Sequence, residues 1–77
     1  MKRYIWNFKG PDGKGTAAHH RIHLEGFATM HNIAFSQYKT GLIEVNEMHS
    51  ISYIEVGEEF ENLVEDLLKP HEIESGS

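Results

Sequence analysis

Hydrophobic and polar positions change their period several times along the chain, and each change predicts an element. From Arg3 to Lys9 successive large side chains alternate between two faces, which is typical of a β-strand. Residues Gly10 to Gly15 contain three glycines and a proline and predict a loop. Apolar positions then recur at helical spacing from Ala17 to Met30, and Thr16 stands where an N-cap residue would lie. The first part of the chain is therefore predicted as strand, loop and helix.

A two-residue period returns in the middle of the chain, and a clear helical period follows it. Three alternating runs predict strands: Ala34–Lys39, Leu42–Glu47 and His49–Val56. The first two runs form either separate strands or one bent strand, with Thr40-Gly41 between them. Five apolar residues then repeat at i, i+3, i+4, i+7 and i+8 and predict a second helix: Phe60, Leu63, Val64, Leu67 and Leu68. Pro70 ends this helix, and residues His71 to Glu74 predict a short last strand.

This order of elements predicts the fold class. The order β-α-β-β-α with a short final β predicts an α+β domain of the ferredoxin-like plait type, in which two helices pack on one face of an antiparallel sheet. The pattern predicts one domain over residues 1–74, followed by a disordered tail at residues 75–77. The other face of such a sheet has no helix to cover it.

Large apolar side chains occupy both faces of the predicted strands. Since two short helices cover one face only, and monomeric proteins rarely leave a large apolar patch in water, we expect a homodimer formed by the open face. Five large residues are predicted to lie in this interface: Tyr4, Trp6, Phe8, Ile51 and Tyr53. In the opposite phase the aromatic row packs against the helices, and the open face instead contains Ile5 and Ile54.

Composition limits the classes of function. The chain has 77 residues, and seven basic against twelve acidic residues give a net charge of −5, which disfavours binding to nucleic acid. It contains no cysteine, which excludes disulfides and thiolate metal sites. No apolar run approaches the roughly 20 residues of a membrane-spanning helix. We therefore expect a cytoplasmic protein without a membrane partner. A domain of this size is also near the lower limit of independent stability, which favours association with a second copy.

Histidine is the one overrepresented residue, with six copies. On a helix His19 and His23 lie four residues apart and can bind one divalent transition metal from the same face. A firm site needs further ligands, for which His49 and Glu55 of the sheet and His20 are candidates. The positions of His20 and His31 in the apolar arc of the first helix indicate core-edge histidines that are hydrogen-bonded to the backbone. The alternative is acid–base chemistry between this helix and the sheet, or a pH-sensitive contact.

Two charged segments suggest further contacts. The loop from Gly10 to Thr16 has the composition of a phosphate-binding loop but not its spacing, so we expect at most an anion site at Lys14, Gly15 and Thr16. The second predicted helix carries an acidic side, which is either a solvated surface or the contact for a basic protein partner. This side contains Glu58, Glu59, Glu61, Glu65 and Asp66.

The C-terminal third of the chain resembles a known superfamily. A strand ending Tyr53-Ile54-Glu55-Val56-Gly57, a helix of the type Glu-Glu-Phe-x-x-Leu-Val-x-x-Leu-Leu and a short last strand are similar to the second half of small dimeric α+β-barrel proteins. The resemblance implies two ferredoxin-like subunits with their sheets face to face. That superfamily includes isomerases, small monooxygenases and many proteins of unknown role, so the resemblance implies no activity and no catalytic residue.

The sequence therefore predicts a small binding or regulatory module, without catalysis of its own, that acts through self-association and protein–protein contacts. The alternative is a metal-binding or acid–base site of histidines between the first helix and the sheet.

Overall fold

The computed structural model of the chain describes residues 2–75. In chain order the elements are β1 (Lys2–Lys9), α1 (Gly13–Met30), β2 (Tyr38–Asn46), β3 (His49–Val56), α2 (Glu61–Leu68) and β4 (Glu72–Ser75). The four strands form one sheet in the order β2-β3-β1-β4, and every neighbouring pair is antiparallel. Both helices pack on the same face of this sheet. The predicted α+β class and this arrangement of the two helices are confirmed.

The core lies between the sheet and the two helices. Even-numbered residues of β1 and β3 point toward the helices, because successive side chains of a strand point to opposite faces. Leu24 of α1 and Val64 of α2 meet them, and both are almost completely buried. The central cluster consists of Tyr4, Trp6, Leu24, Ile54, Val56 and Val64. The odd-numbered residues of β1 and β3 therefore belong to the face without helices.

Helix α1 begins at Gly13, earlier than predicted, and Asp12 rather than Thr16 is its N-cap residue. Thr16 lies inside the first turn, where its N–H and its hydroxyl both donate to the carbonyl oxygen of Asp12 at 3.1 Å. The glycine-rich segment predicted as loop is helical from its fourth position, Gly13, onward. The early start is possible because Gly13 lies directly against the carbonyl of Phe8, where any side chain would collide.

Helix α1 ends at Met30, as its hydrophobic period predicted. Asn32 adopts the left-handed conformation with φ of 57°, and its N–H donates to the carbonyl of Thr29. The N–H of Ile33 donates to the carbonyl of Ala28 at 2.9 Å. This pair of bonds is a Schellman motif, which satisfies two carbonyl groups of the last turn. It directs the buried Ile33 back into the core.

The two runs before His49, for which the pattern allowed either separate strands or one bent strand, form a single strand. β2 runs without interruption from Tyr38 to Asn46, with a bulge between Glu44 and Asn46. The residues Phe35–Gln37 before it form a 3-10 turn, so the predicted start of a strand at Ala34 is wrong. Gly41 is part of the strand, and its missing side chain leaves space for the ring of Tyr53 from β3.

The last third follows the predicted order with shifted bounds. A 3-10 turn precedes α2, and Lys69, with φ of 48°, ends the helix before Pro70. β4 begins at Glu72 and includes Ser75, one residue later at each end than predicted. The predicted tail is therefore wrong for Ser75, and Gly76 and Ser77 lie outside the described residues.

Candidate functional site

The face of the sheet without helices is the candidate site. We call it the open face. Cross-strand pairing places its residues in rows that run across the strands. It consists of Arg3, Ile5, Asn7, Lys9, Lys39, Gly41, Ile43, His49, Ile51, Tyr53, Glu55, Glu72 and Glu74. The surface combines apolar residues in its middle with charged residues at one end.

One row of the open face carries alternating charges. Lys39 pairs with Glu55, Glu55 with Arg3, and Arg3 with Glu74, so the row reads positive, negative, positive, negative from β2 to β4. The guanidinium of Arg3 forms an ion pair with Glu55 at 3.3 Å. Among residues 2–75, neither Lys39 nor Glu74 has an ion-pair partner. The two outer charges of this row are therefore available to another molecule.

The next row contains the largest apolar side chain of the open face. The ring of Tyr53 lies over Gly41 of β2, and the guanidinium of Arg3 stacks on the same ring at 4.3 Å from its centroid. Such a cation–π contact contributes roughly 0.5–1 kcal/mol at an exposed site. Ile5, the cross-strand partner of Tyr53, is buried although no helix covers it. The accessible apolar group of this row is therefore the ring of Tyr53, with Arg3 against it and Glu72 at the β4 end of the row.

A chain of hydrogen bonds crosses the other end of the open face. The Nε2–H of His49 donates to Oδ1 of Asn7 at 2.8 Å, because an amide oxygen can only accept. The amide nitrogen of Asn7 donates to Glu72 at 3.1 Å. The backbone N–H of Asn7 donates to Nδ1 of His71. His71 lies just before β4, and its ring takes the place of a backbone carbonyl from a neighbouring strand. These bonds join β3, β1 and β4.

The five residues predicted to share the open face lie on two faces. Tyr4, Trp6 and Phe8 pack against the helices, so their assignment to the interface is wrong. Ile51 and Tyr53 lie on the open face and are half-buried. The opposite phase is also only half right, because Ile5 lies on the open face and Ile54 in the core. Three predicted interface residues thus hold the monomer together.

His20 is held at the edge of the core, as its place in the apolar arc predicted. Its ring contacts those of Trp6 and Phe8, with centroid distances of 4.8 and 5.3 Å. Its Nδ1 is hydrogen-bonded to the hydroxyl of Ser52, a buried residue of β3, at 2.7 Å. The partner is thus a side chain and not the backbone. Burial, and then the nearby charges of His23 and His71, lower the pKa of His20 below its ordinary value.

This lowered pKa predicts a pH dependence of folding. Unfolded His20 takes up a proton near its ordinary pKa of 6.5, whereas the folded form does so only at lower pH. Its contribution to stability is therefore complete above 6.5 and is lost as the pH falls from there toward the folded pKa. Urea unfolding at a series of pH values should show a smaller acid loss in His20→Gln than in the original chain. His31→Gln, at the far end of α1, is the control and should keep the full loss.

The predicted metal ligands are not assembled. The Nε2 atoms of His19 and His23 lie 2.9 Å apart on the exposed side of α1, as their spacing predicted. His49 lies on the open face, and thus on the opposite side of the sheet from α1. Within residues 2–75 no group of three or more histidine or acidic side chains is arranged to hold a metal ion. The set of His19, His23 and His49 is therefore wrong as a single site.

Two residues of the predicted anion site, Lys14 and Thr16, have other partners in the structure. The ammonium of Lys14 pairs with Glu44 of β2 at 3.6 Å, and this pair is exposed. Thr16 cannot offer its N–H or its hydroxyl, because both bind the carbonyl of Asp12. Of the predicted set, only the backbone of Gly15 remains without such a partner at the helix end.

The acidic side of the second helix is partly used within the monomer. Glu65 accepts a hydrogen bond from the phenol of Tyr4 at 2.8 Å, and Lys2 lies 3.6 Å from Glu61. Burial, strengthened by the carboxylate of Glu65, raises the pKa of Tyr4, so the phenol stays a donor. Glu59 accepts from the amide of Gln37. A basic partner for this surface stays a prediction.

The comparisons with known proteins give no relative. No protein-family model matches the chain, no curated protein matches its sequence, and no solved structure matches its fold. Neither α1 nor α2 is long and apolar enough to cross a membrane. The function must therefore be argued from the surfaces described above.

Proposed function

We propose that this chain is a small, non-catalytic binding module that acts by self-association through its open face. The observation that carries the proposal is the alternating row of Lys39, Glu55, Arg3 and Glu74 next to the apolar row of Tyr53 and Ile5. A surface of this kind is suited to a second copy of itself.

A ferredoxin-like plait is part of this proposal. β1 and β2 both run antiparallel to β3, which lies between them, so they are parallel to each other. β3 and β4 are related in the same way through β1. Helix α1 connects the first parallel pair and α2 the second. Two such split β-α-β units support the plait interpretation.

The charges of the row fit a two-fold axis that runs parallel to the strands. Rotation about this axis places β2 of one subunit over β4 of the other, so the row faces its own reverse. Lys39 then faces Glu74 of the partner subunit, and Arg3 faces Glu55 of the partner subunit. In the next row Tyr53 lies opposite the position of Ile5 of the partner subunit. All four charged positions meet the opposite sign.

The twist of the two sheets still allows the facing charges to pair. Strands lie about 4.8 Å apart, so the outer charges of a four-stranded row are about 7 Å from the axis. Packed sheets cross at about 30°, which moves these positions by roughly 4 Å. Lysine and glutamate side chains are long enough to span that shift. Exposed pairs contribute little affinity singly, but they fix the orientation in which the apolar row can meet.

Tyr53→Glu is expected to weaken the dimer at least tenfold, because it places two like charges between the apolar rows. The measurement is the dissociation constant from sedimentation equilibrium at micromolar concentration. The control is Ile22→Glu, a comparable change at a residue of α1 that is 65% exposed and lies on the other side of the sheet. An original chain that remains monomeric at these concentrations would overturn the proposal.

Charge reversal tests the orientation with residues that the fold does not need. Lys39→Glu and Glu74→Lys each place like charges opposite each other at both ends of the row, and each should weaken the dimer severalfold. The double variant restores opposite signs across the interface and should recover most of the affinity. If the double variant loses as much binding free energy as the two single variants together, the two-fold axis does not run parallel to the strands.

A further inference from the structure

A second surface, which shares Lys39 with the open face, lies between α1 and the start of β2. Here a groove of about 150 Å³ opens at the edge of the sheet, on the side of the helices. It is lined by Arg21, Glu25, Phe35, Tyr38, Lys39 and Thr40. Its volume is that of a small molecule of amino-acid size, well below the 300–1,000 Å³ of drug-sized pockets.

One wall of the groove holds a positive and a negative charge in fixed positions. Arg21 and Glu25 lie four residues apart on α1 and hence on the same face of the helix. The hydroxyl of Thr40 donates to Glu25 at 3.2 Å and accepts from Nε of Arg21 at 3.4 Å. The terminal nitrogens of Arg21 have no partner among residues 2–75. Thr40 thus orients both charged groups and leaves the guanidinium fork open.

The other wall is aromatic. Phe35 is 85% exposed, more than any other large apolar residue described, and lies on the 3-10 turn before β2. Its ring meets that of Tyr38 edge to face, with centroids 5.7 Å apart. Tyr38 packs on the core and so anchors this pair. An aromatic ring kept in water beside a groove offers apolar surface that folding does not use.

We propose that the groove binds a free α-amino acid with an apolar side chain. The ligand carboxylate binds the guanidinium of Arg21, its ammonium group binds Glu25, and its side chain packs on Phe35 and Tyr38. The lining carries the positive charges of Arg21 and Lys39 and the negative charge of Glu25, so a ligand with one carboxylate and one ammonium group finds an opposite charge for each. A zwitterion carries no net charge and satisfies both groups at once.

Isothermal titration of the full chain with leucine, methionine and phenylalanine tests the proposal. Each amino acid is titrated to millimolar concentration. N-acetyl-leucine lacks the ammonium group, and isoamylamine lacks the carboxylate. Each analogue should bind at least tenfold more weakly than leucine. If either analogue binds as well as leucine, the groove does not recognise a zwitterion and the proposal is overturned.

Variants of the groove locate the site. Arg21→Gln and Glu25→Gln should each reduce leucine affinity at least tenfold, and Phe35→Ala should reduce phenylalanine affinity severalfold without a change in melting temperature. Lys14→Gln, elsewhere on α1, is the control and should leave binding unchanged. Absence of heat and of a melting shift with all three amino acids at millimolar concentration would overturn the proposal. So would binding that both charge-removing variants leave intact.

Discussion

Trp6→Ala should lower the free energy of unfolding by about 3–5 kcal/mol. The side chain of Trp6 is 4% exposed, its ring contacts His20 of α1, and its indole N–H points to the carbonyl of Leu68 in α2 at 3.4 Å. Removal of the indole therefore leaves a cavity where both helices meet the sheet. Domains of this length have a total stability of about 4–12 kcal/mol, so the variant approaches the unfolding limit. Urea unfolding followed by circular dichroism measures the loss.

The control for this prediction is Phe35→Ala, which removes an aromatic ring that is 85% exposed and should change stability by less than about 0.5 kcal/mol. The same experiment separates two roles of Trp6. Replacement of a core residue lowers the free energy of unfolding at any protein concentration, whereas replacement of an interface residue first weakens association. If Trp6→Ala kept the stability of the original chain and only dissociated, the placement of Trp6 in the core would be contradicted.

Gly13→Ala should destabilise the domain by about 1–3 kcal/mol. A Cβ atom at this position would lie 2.6 Å from the carbonyl oxygen of Phe8 and 3.1 Å from its carbonyl carbon. Both atoms belong to the backbone of β1, so the clash is relieved only if α1 moves away from the strand. Urea unfolding again gives the free energy, and far-UV circular dichroism reports the helix content.

Two other glycines of α1 provide matched controls. A Cβ atom at Gly15 or Gly26 would meet nothing within 4 Å. Alanine is the better helix former, so Gly15→Ala and Gly26→Ala should each stabilise the domain, by up to about 1 kcal/mol. The three variants make the same chemical change in one helix and differ only in what surrounds it. A Gly13→Ala chain as stable as Gly15→Ala would show that α1 does not press on the end of β1.

The sequence predicts elements where one period is unambiguous. The apolar spacing from Phe60 to Leu68 places the second helix correctly, and the ordering of strands and helices gives the α+β class. The sequence does not predict the start of α1, because Gly13 suggests a loop by composition whereas its role is close contact with the backbone of Phe8. Local sequence cannot report a contact between two elements, so a glycine needed for packing looks the same as one needed for a turn.

The face of each strand was harder to predict than the strand itself. Alternation separates Tyr4 and Trp6 from Ile5, and Ile54 from Tyr53, but both sets are apolar and either could face the helices. Pairing between β1 and β3 joins Tyr4 with Ile54 and Ile5 with Tyr53. That register depends on the whole sheet and is not contained in either strand alone. The error for Tyr4, Trp6 and Phe8 arises from this missing register.

The candidate ligands failed for a similar reason. Helical spacing brings His19 and His23 together, as expected. Whether His49 can join them depends on which side of β3 it occupies, and its hydrogen bond to Asn7 places it on the far side from α1. The sequence does not predict the groove beside Arg21 and Glu25. Its aromatic wall includes Phe35, which lies in a 3-10 turn although alternation assigns that segment to a strand.

The short strand β4 has a consequence beyond closing the edge of the sheet. A sequence of alternating signs matches its own reverse only when it contains an even number of members. A shortened chain without β4 would carry only Lys39, Glu55 and Arg3 in that row, and the reversed row would oppose cation to cation and carboxylate to carboxylate. In the proposed dimer, β4 therefore supplies the fourth charge on which the match of opposite signs depends.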